Sequence, residues 1–257
     1  MTQPQRAGRP PTDGDGAADE ELRKKKRVLA ALVVHDLRSP LSAASGYLEL
    51  LREELRAAGS GAPDAERVGG YLDDTRTLID KALGLVATIL DVDELEDGIL
   101  RARPTRVRLR DTLEPARASS RASFQMRQLR FDDQVPPDLE VDLDRELFAR
   151  VLENLIDNAA RYAPRAGRVA VGATLADGQL EIYVGNDGPA VPAAERETIF
   201  GRFYQVEARR ASARANRGLG LYFCRLAAEA HGGSIAVEER VGLPCVFVLR
   251  MPQPPAA

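Results

Sequence analysis

Two stretches in the N-terminal part of the chain repeat apolar side chains at alternating spacings of three and four. One runs through Val34, Leu37, Leu41, Ala44, Leu48, Leu51 and Leu55, the other through Val68, Leu72, Thr75, Ile79, Ala82, Val86 and Ile89. This is the heptad stripe of a bundled helix. The intervening Ala57-Ala58-Gly59-Ser60-Gly61-Ala62-Pro63 reads as a turn, with the second helix predicted from near Asp64 to Leu95. A hairpin with one stripe per helix cannot enclose a core by itself, so two hairpins must associate, which predicts a homodimeric four-helix bundle.

The first helix is predicted to start near Asp19, Glu20 and Glu21, acids that favour the positive end of a helix dipole. Residues Met1 to about Ala18, rich in Gly, Pro, Asp, Gln and Thr, read as a disordered segment. The basic run Arg23 to Arg27 reads as a solvated helix face.

The chain has 257 residues, 44% of them hydrophobic and 29% charged, which suits one or two packed domains. Its 36 basic and 39 acidic residues leave a net charge of −3, so no global attraction to nucleic acid is expected. Cys224 and Cys245 stand far apart in apolar contexts and read as core residues rather than a disulfide or metal pair. No run approaches the roughly 18 apolar residues of a membrane span, and the N-terminus lacks the order of a signal peptide. A cytoplasmic location without membrane insertion is the expectation.

One of only two histidines, His35, lies just off the first stripe, bordering the apolar seam yet open to another domain. Asp36 beside it is a carboxylate able to orient an imidazole and take its proton, and Arg38 supplies positive charge for a phosphoryl group. Pro40 removes the amide that would bond the Asp36 carbonyl, so a bend is expected after the histidine. The second histidine, His231, in Glu229-Ala230-His231-Gly232-Gly233, reads as structural.

Beyond Gly98 the pattern changes to shorter elements. Strands are predicted at 129–131, 168–173, 180–184, 234–238 and 245–249, a mixed sheet with helices. Asp144 reads as the N-cap of a helix burying Phe148, Val151, Leu152, Leu155, Ile156 and Ala159. Another face of that helix presents Asn154, Asn158, Arg161 and Tyr162 at spacings of three and four or in the next position, side chains suited to Mg²⁺, phosphate and a base.

Five strings in order carry a resemblance. His35-Asp36-Leu37-Arg38-Ser39-Pro40-Leu41 resembles the phosphoacceptor box of sensor histidine kinases, and Asn154 to Tyr162 their asparagine box. Val184 to Pro192 is similar to the first glycine box, Ile199-Phe200-Gly201-Arg202-Phe203 to the phenylalanine box, and Arg217-Gly218-Leu219-Gly220-Leu221 to the second glycine box. The resemblance implies an α+β chain: a helical hairpin forming the dimeric bundle, then an α/β sandwich ATP-binding domain of the Bergerat or GHKL type. It implies a disordered segment at 1–18, a dimerisation and phosphoacceptor domain at 19–98, a catalytic domain at 99–252 and a tail at 253–257.

The resemblance also implies a mechanism. Mg·ATP would be held by Asn154, Asn158, Arg161, Tyr162, Asn186, Gly188, Phe200, Arg202, Phe203, Gly218, Leu219, Gly220 and Leu221, with Asn158 on the metal. His35, Asp36, Arg38 and Ser39 would form the phosphoacceptor site, and His35 would pass its phosphoryl to an aspartate of a separate response regulator. Tyr204 to Arg217 would be the ATP lid, and an upstream sensory protein is a possible partner. Asn186 stands where an aspartate is common, Ala190 and Asn216 replace glycines, Gln205 replaces an arginine, and Ser39 replaces a threonine or asparagine linked to phosphatase action.

Two other readings stay open. A conformational ATPase of the topoisomerase or chaperone kind needs a water-activating glutamate four residues before Asn158, but Asn154 stands there and Glu153 is offset by about 100° around the helix. A degenerate kinase acting as a dimeric scaffold or phosphotransfer adaptor is kept open by the substitutions at Ala190, Gln205 and Asn216.

Overall fold

The computed structural model describes residues 13–58, 62–202 and 219–254, with the side chains of 13–33, His35, Asp36 and Lys81 outside the description. Of the segment expected to be disordered, 1–18, residues 13–18 are instead helical, as the start of a long helix, while residues 1–12, the lid at 204–217, Phe203 and Gly218 lie outside the described residues. The chain divides into two compact units, Met1–Val86 and Ala87–Ala257.

The first unit holds α1 (Asp13–Ala58) and most of α2 (Ala65–Glu96). Helix α1 begins at Asp13, six residues before the acids at 19–21 that the sequence pointed to. It continues through Pro40. Asp64 caps α2, its Oδ1 accepting from the amides of Glu66 (3.1 Å) and Arg67 (3.3 Å). The pair is antiparallel, since Arg67 near the start of α2 meets Glu54 near the end of α1 (2.9 Å) while Tyr71 meets the earlier Tyr47. The Tyr47 hydroxyl donates to Asp74, whose carboxylate raises the phenol pKa. Ala44, Thr75 and Ala82 are buried, whereas Leu41, Leu48, Leu55, Leu72 and Ile79 on the same stripes remain 41–50% exposed. The hairpin thus buries small members of its stripes and leaves these larger ones open, with Leu37, Leu51, Val68 and Ile89 half-buried.

The second unit contains β1 (Thr105–Arg108), α3 (Leu109–Ser119), α4 (Arg121–Arg127), β2 (Arg130–Gln134), β3 (Glu140–Leu143), α5 (Arg145–Tyr162), β4 (Arg168–Ala176), β5 (Gln179–Asn186), α6 (Gly220–Ala230), β6 (Ser234–Arg240) and β7 (Leu243–Pro252). All five predicted strands are present. The prediction missed β1 and β3, which pair antiparallel as a separate two-stranded sheet, and the short helices α3 and α4. The main sheet has the order β2-β4-β5-β7-β6, parallel between β2 and β4 and antiparallel elsewhere.

Strand alternation sends Val169, Val171, Leu180, Ile182, Val184, Phe247, Leu249 and Met251 into one core with the apolar faces of α3, α5 and α6. On the opposite face Tyr183 lies against Gly172, its register partner, where a Cβ would stand 2.4 Å from the ring. Arg240 stacks on Tyr183 at 4.6 Å and so shields that face. Cys224 and Cys245 are both buried, and burial pushes the Cys224 thiol pKa up. Among the described residues no helix is long and apolar enough to cross a membrane.

Candidate nucleotide site

Helix α5 organises the site. Asp144 caps it with Oδ1 accepting from Glu146 (3.2 Å) and Leu147 (3.1 Å) amides, and the Asp144 amide donates to His231 Nε2 at 3.0 Å. His231 Nδ1 lies 2.7 Å from the Ala227 carbonyl, so the ring carries its proton there and ties the end of α6 to the start of α5. The structural reading of His231 agrees with this placement. The six apolar residues expected to face inward on α5 are all fully buried. That fixes the rotation of the helix and turns Asn154, Asn158, Arg161 and Tyr162 to a half-buried face.

Two glycine contacts bring other segments onto this face. A Cβ on Gly220 would lie 2.5 Å from Asn154 Oδ1, and one on Gly188 would lie 2.2 Å from the Tyr162 carbonyl oxygen. From Asn154 to Tyr162 is roughly 12 Å of helix axis, with Asn158 midway. The start of α6, formed by Leu219, Gly220 and Leu221, therefore approaches one end of the asparagine face and the Asn186-Asp187-Gly188 turn approaches the other. Asn158 lies between these two ends on the same half-buried helix face. Asn154 Nδ2 donates to the Arg150 carbonyl (2.9 Å), and Arg161 pairs with Asp157 one turn back.

Asn186 closes the end of β5 with 1% of its surface exposed, and its Nδ2 has no hydrogen-bond partner. A buried amide that is left orphaned fits a ligand that offers an acceptor, as a purine ring nitrogen does. Asp187 beside it turns away to accept from the Arg168 amide (2.9 Å), and Gly167 leaves room for that carboxylate. An uncharged, buried amide, a cradle closed by two glycines and an asparagine between them fit a nucleotide. Among the described residues no group of three or more His, Cys, Asp or Glu could hold a metal alone. The oxygen of Asn158 suits Mg²⁺ completed by phosphate and water oxygens.

The remaining candidates are placed differently. Phe200 is 3% exposed and packs edge-on against Phe247 with ring centres 6.1 Å apart, so it anchors the chain in the core. Arg202 bonds Glu96 (2.7 Å) and Asp93 (3.1 Å) in the last turns of α2, and Tyr222 donates to the other oxygen of Glu96. Burial raises the Tyr222 pKa to about 12, helped by the Glu96 carboxylate. Arg150 pairs with Asp91, also on α2, and covers the Phe223 ring at 4.9 Å. Burial lowers the Arg150 pKa. Sequence reading missed Asp91, Asp93, Glu96, Asp187 and Arg150 as organisers, because their partners stand far away in the chain. Arg38 and Ser39 are exposed on α1, while the His35 and Asp36 side chains lie outside the described residues.

Comparison with known proteins matches residues 25–98 to the family described as His Kinase A (phospho-acceptor) domain. Residues 143–255 match the family of histidine kinase-, DNA gyrase B- and HSP90-like ATPases. The chain is 32% identical over 235 residues to an adaptive-response sensory kinase SasA of Synechococcus sp., covering 91% of this chain and 60% of that protein. It is 29% identical to the histidine protein kinase DivJ of Caulobacter vibrioides, over 91% of this chain and 38% of DivJ. The chain thus spans about three fifths or less of the length of these curated relatives. Among solved structures, the catalytic domain of histidine kinase ThkA superposes with a TM-score of 0.53 at 25% identity, covering 59% of this chain and 96% of that one. ThkA in complex with the response regulator protein TrrA shares the fold at 21% identity and a TM-score of 0.55, over 93% of this chain and 66% of that one.

Proposed function

We propose, for a chain that belongs to the sensor histidine kinases, that it phosphorylates its own His35 from Mg·ATP and passes the phosphoryl group to an aspartate of a separate response regulator. The observation that carries this reading is the buried, orphaned Asn186 amide facing a glycine cradle along the Asn154–Tyr162 helix, in a chain that also carries the His35-Asp36 box. The same residues supply the proposed site list, with Asn186 and Gly188 toward the base and Asn158 toward the metal. The start of α6, at Gly220, would offer its first helix amides to phosphate.

In the proposed step a nitrogen of His35 forms a bond to the γ-phosphorus as the bond to the bridging oxygen breaks, and ADP leaves. Asp36 takes the proton that the imidazole loses. Mg²⁺ on Asn158 and phosphate oxygens would supply offsetting positive charge. Transfer is favoured over hydrolysis because Glu153 is exposed and Asn154, bonded to the Arg150 carbonyl, is no general base. A kinase of the same fold captured with a response regulator supports an external receiver as acceptor.

The half-open leucines of α1 and α2 support a homodimer through the helical hairpin. The proposed domain division is phosphoacceptor hairpin at 19–98 and catalytic domain at 99–252. Use of ATP favours a cytoplasmic site of action, and an upstream sensory protein remains the proposed source of input.

Calorimetric titration with Mg·ATP tests the site. The unaltered chain should bind, and saturation at a hundred times the dissociation constant should add about 2.7 kcal/mol of stability. Asn158→Ala should lose most of the Mg²⁺-dependent part of that affinity. Equal binding with and without Asn158 would remove it from the metal site.

A further inference from the structure

We propose that Arg127, which precedes α5 in sequence and lies outside every nucleotide motif, is a positioning residue for the nucleotide. The inference rests on the nucleotide reading of the site and extends it to a residue outside every box.

The end of α5 needs external donors. A helix leaves its last four carbonyls without intrahelical partners, and a left-handed glycine with following amides commonly satisfies them. Here Ala163 ends the helix in an extended conformation and Pro164 follows with no N–H to offer. Arg127, half-buried at the end of α4, fills the gap. Its Nη1 donates to the carbonyls of Ala160 (2.8 Å) and Arg161, and its Nη2 to that of Ala163 (2.6 Å). The rigid fork and fixed charge of a guanidinium suit several carbonyls at a negative helix end. The Arg127 carbonyl in turn accepts from the Ala166 amide (2.9 Å), so the loop after α5 is held from the same residue.

The carbonyl that Arg127 skips is the one at the site. Tyr162 O lies where a Cβ on Gly188 would come within 2.2 Å, so the Asn186–Gly188 turn rests on the backbone that Arg127 grips on both sides. Arg127 thereby sets the height of the helix end carrying Asn158, Arg161 and Tyr162 against the turn carrying Asn186. It acts through the helix and needs no contact with ligand. The grip is delivered by Gln128, which holds a left-handed φ of 57° at the end of α4.

The test uses the full chain and Mg·ATP as probe, with binding by calorimetry, thermal unfolding without nucleotide, and the concentration dependence of autophosphorylation. Arg127→Gln should weaken Mg·ATP binding and raise KM by about ten-fold, with the rate at saturation nearly unchanged, since misplacement of binding groups is what is lost. Arg127→Lys, a point charge without the fork, should fall between. Gln128→Gly relieves the left-handed strain and serves as a stability restorer in the Arg127→Gln background. If stability returns and affinity does not, the positioning role stands. If affinity returns together with stability, or if folded Arg127→Gln binds like the unaltered chain, Arg127 is only a structural cap and the proposal is overturned. No binding of Mg·ATP by the unaltered chain would overturn the nucleotide reading itself, and this inference with it.

Discussion

The hydroxyl of Tyr222, on α6, donates to the carboxylate of Glu96 at the end of α2. The second oxygen of that carboxylate receives Arg202 at 2.7 Å, so residues on either side of 203–218 meet on one side chain. Asp91 and Asp93 extend the arrangement to Arg150 and Arg202. The last turns of α2 are thus built into the nucleotide-binding unit through charges and a phenol, with Val92 buried in its core.

This contact predicts an alkaline signature. Tyr222 has its pKa raised by burial, then by Glu96, from 10.0 to about 12. The folded protein keeps a proton that the unfolded chain loses across that interval, so stability from this group is full below pH 10.0 and is lost between there and about pH 12. Phenolate absorbance should show one tyrosine titrating above the rest, and Tyr222→Phe should abolish that step. An identical titration in the variant would contradict the contact.

The glycines should separate by what their Cβ meets. Gly188→Ala drives a methyl against the Tyr162 carbonyl, fixed backbone, and should cost more than about ten-fold in Mg·ATP affinity. Gly220→Ala meets the Asn154 side chain and should be milder. Gly70→Ala, exposed within α2 with open space around it, should stabilise the helix by about 1 kcal/mol and leave binding unchanged. Calorimetric affinities and unfolding midpoints of the three variants check this order, and normal binding by Gly188→Ala would break it.

The exposed stripe makes a prediction about assembly. Leu48 and Leu72 are 48% and 49% exposed on the hairpin. Fully burying a leucine contributes about 1.5–3 kcal/mol and burying the open half of one about half of that, so Leu48→Asp or Leu72→Asp, present twice per dimer, should weaken self-association by at least about tenfold. Sedimentation equilibrium across a dilution series reads this directly. An unchanged association constant would place the dimer contact elsewhere.

Periodic features were legible in advance. The heptad stripes, the Asp144 cap and the inward face of α5 each depend on local spacing, and the strand runs in the main sheet are apolar enough to stand out. The four-residue strands β1 and β3 did not, because Thr105–Arg108 is mostly polar and exposed and its pairing partner is more than thirty residues away. The glycine and asparagine boxes marked Asn158, Asn186, Gly188 and Gly220 as one group, and the contacts around α5 put Gly220 against Asn154 and Gly188 against Tyr162 and Asn186. Phe200 and Arg202 are another matter, since a box shows their position and not that one joins the core and the other pairs with α2. Arg127 carries no local signal at all. Its role comes from carbonyls 33 to 36 residues further along the chain.

The central claim is that His35 accepts the γ-phosphoryl group of ATP. Incubation of the full chain with γ-labelled ATP and Mg²⁺, beside His35→Gln, followed by acid and alkali treatment of the protein, tests it most directly. The account predicts label that is acid-labile, alkali-stable and absent from the variant. Label retained by His35→Gln, or none on a chain that binds Mg·ATP as its own dimer, would contradict it.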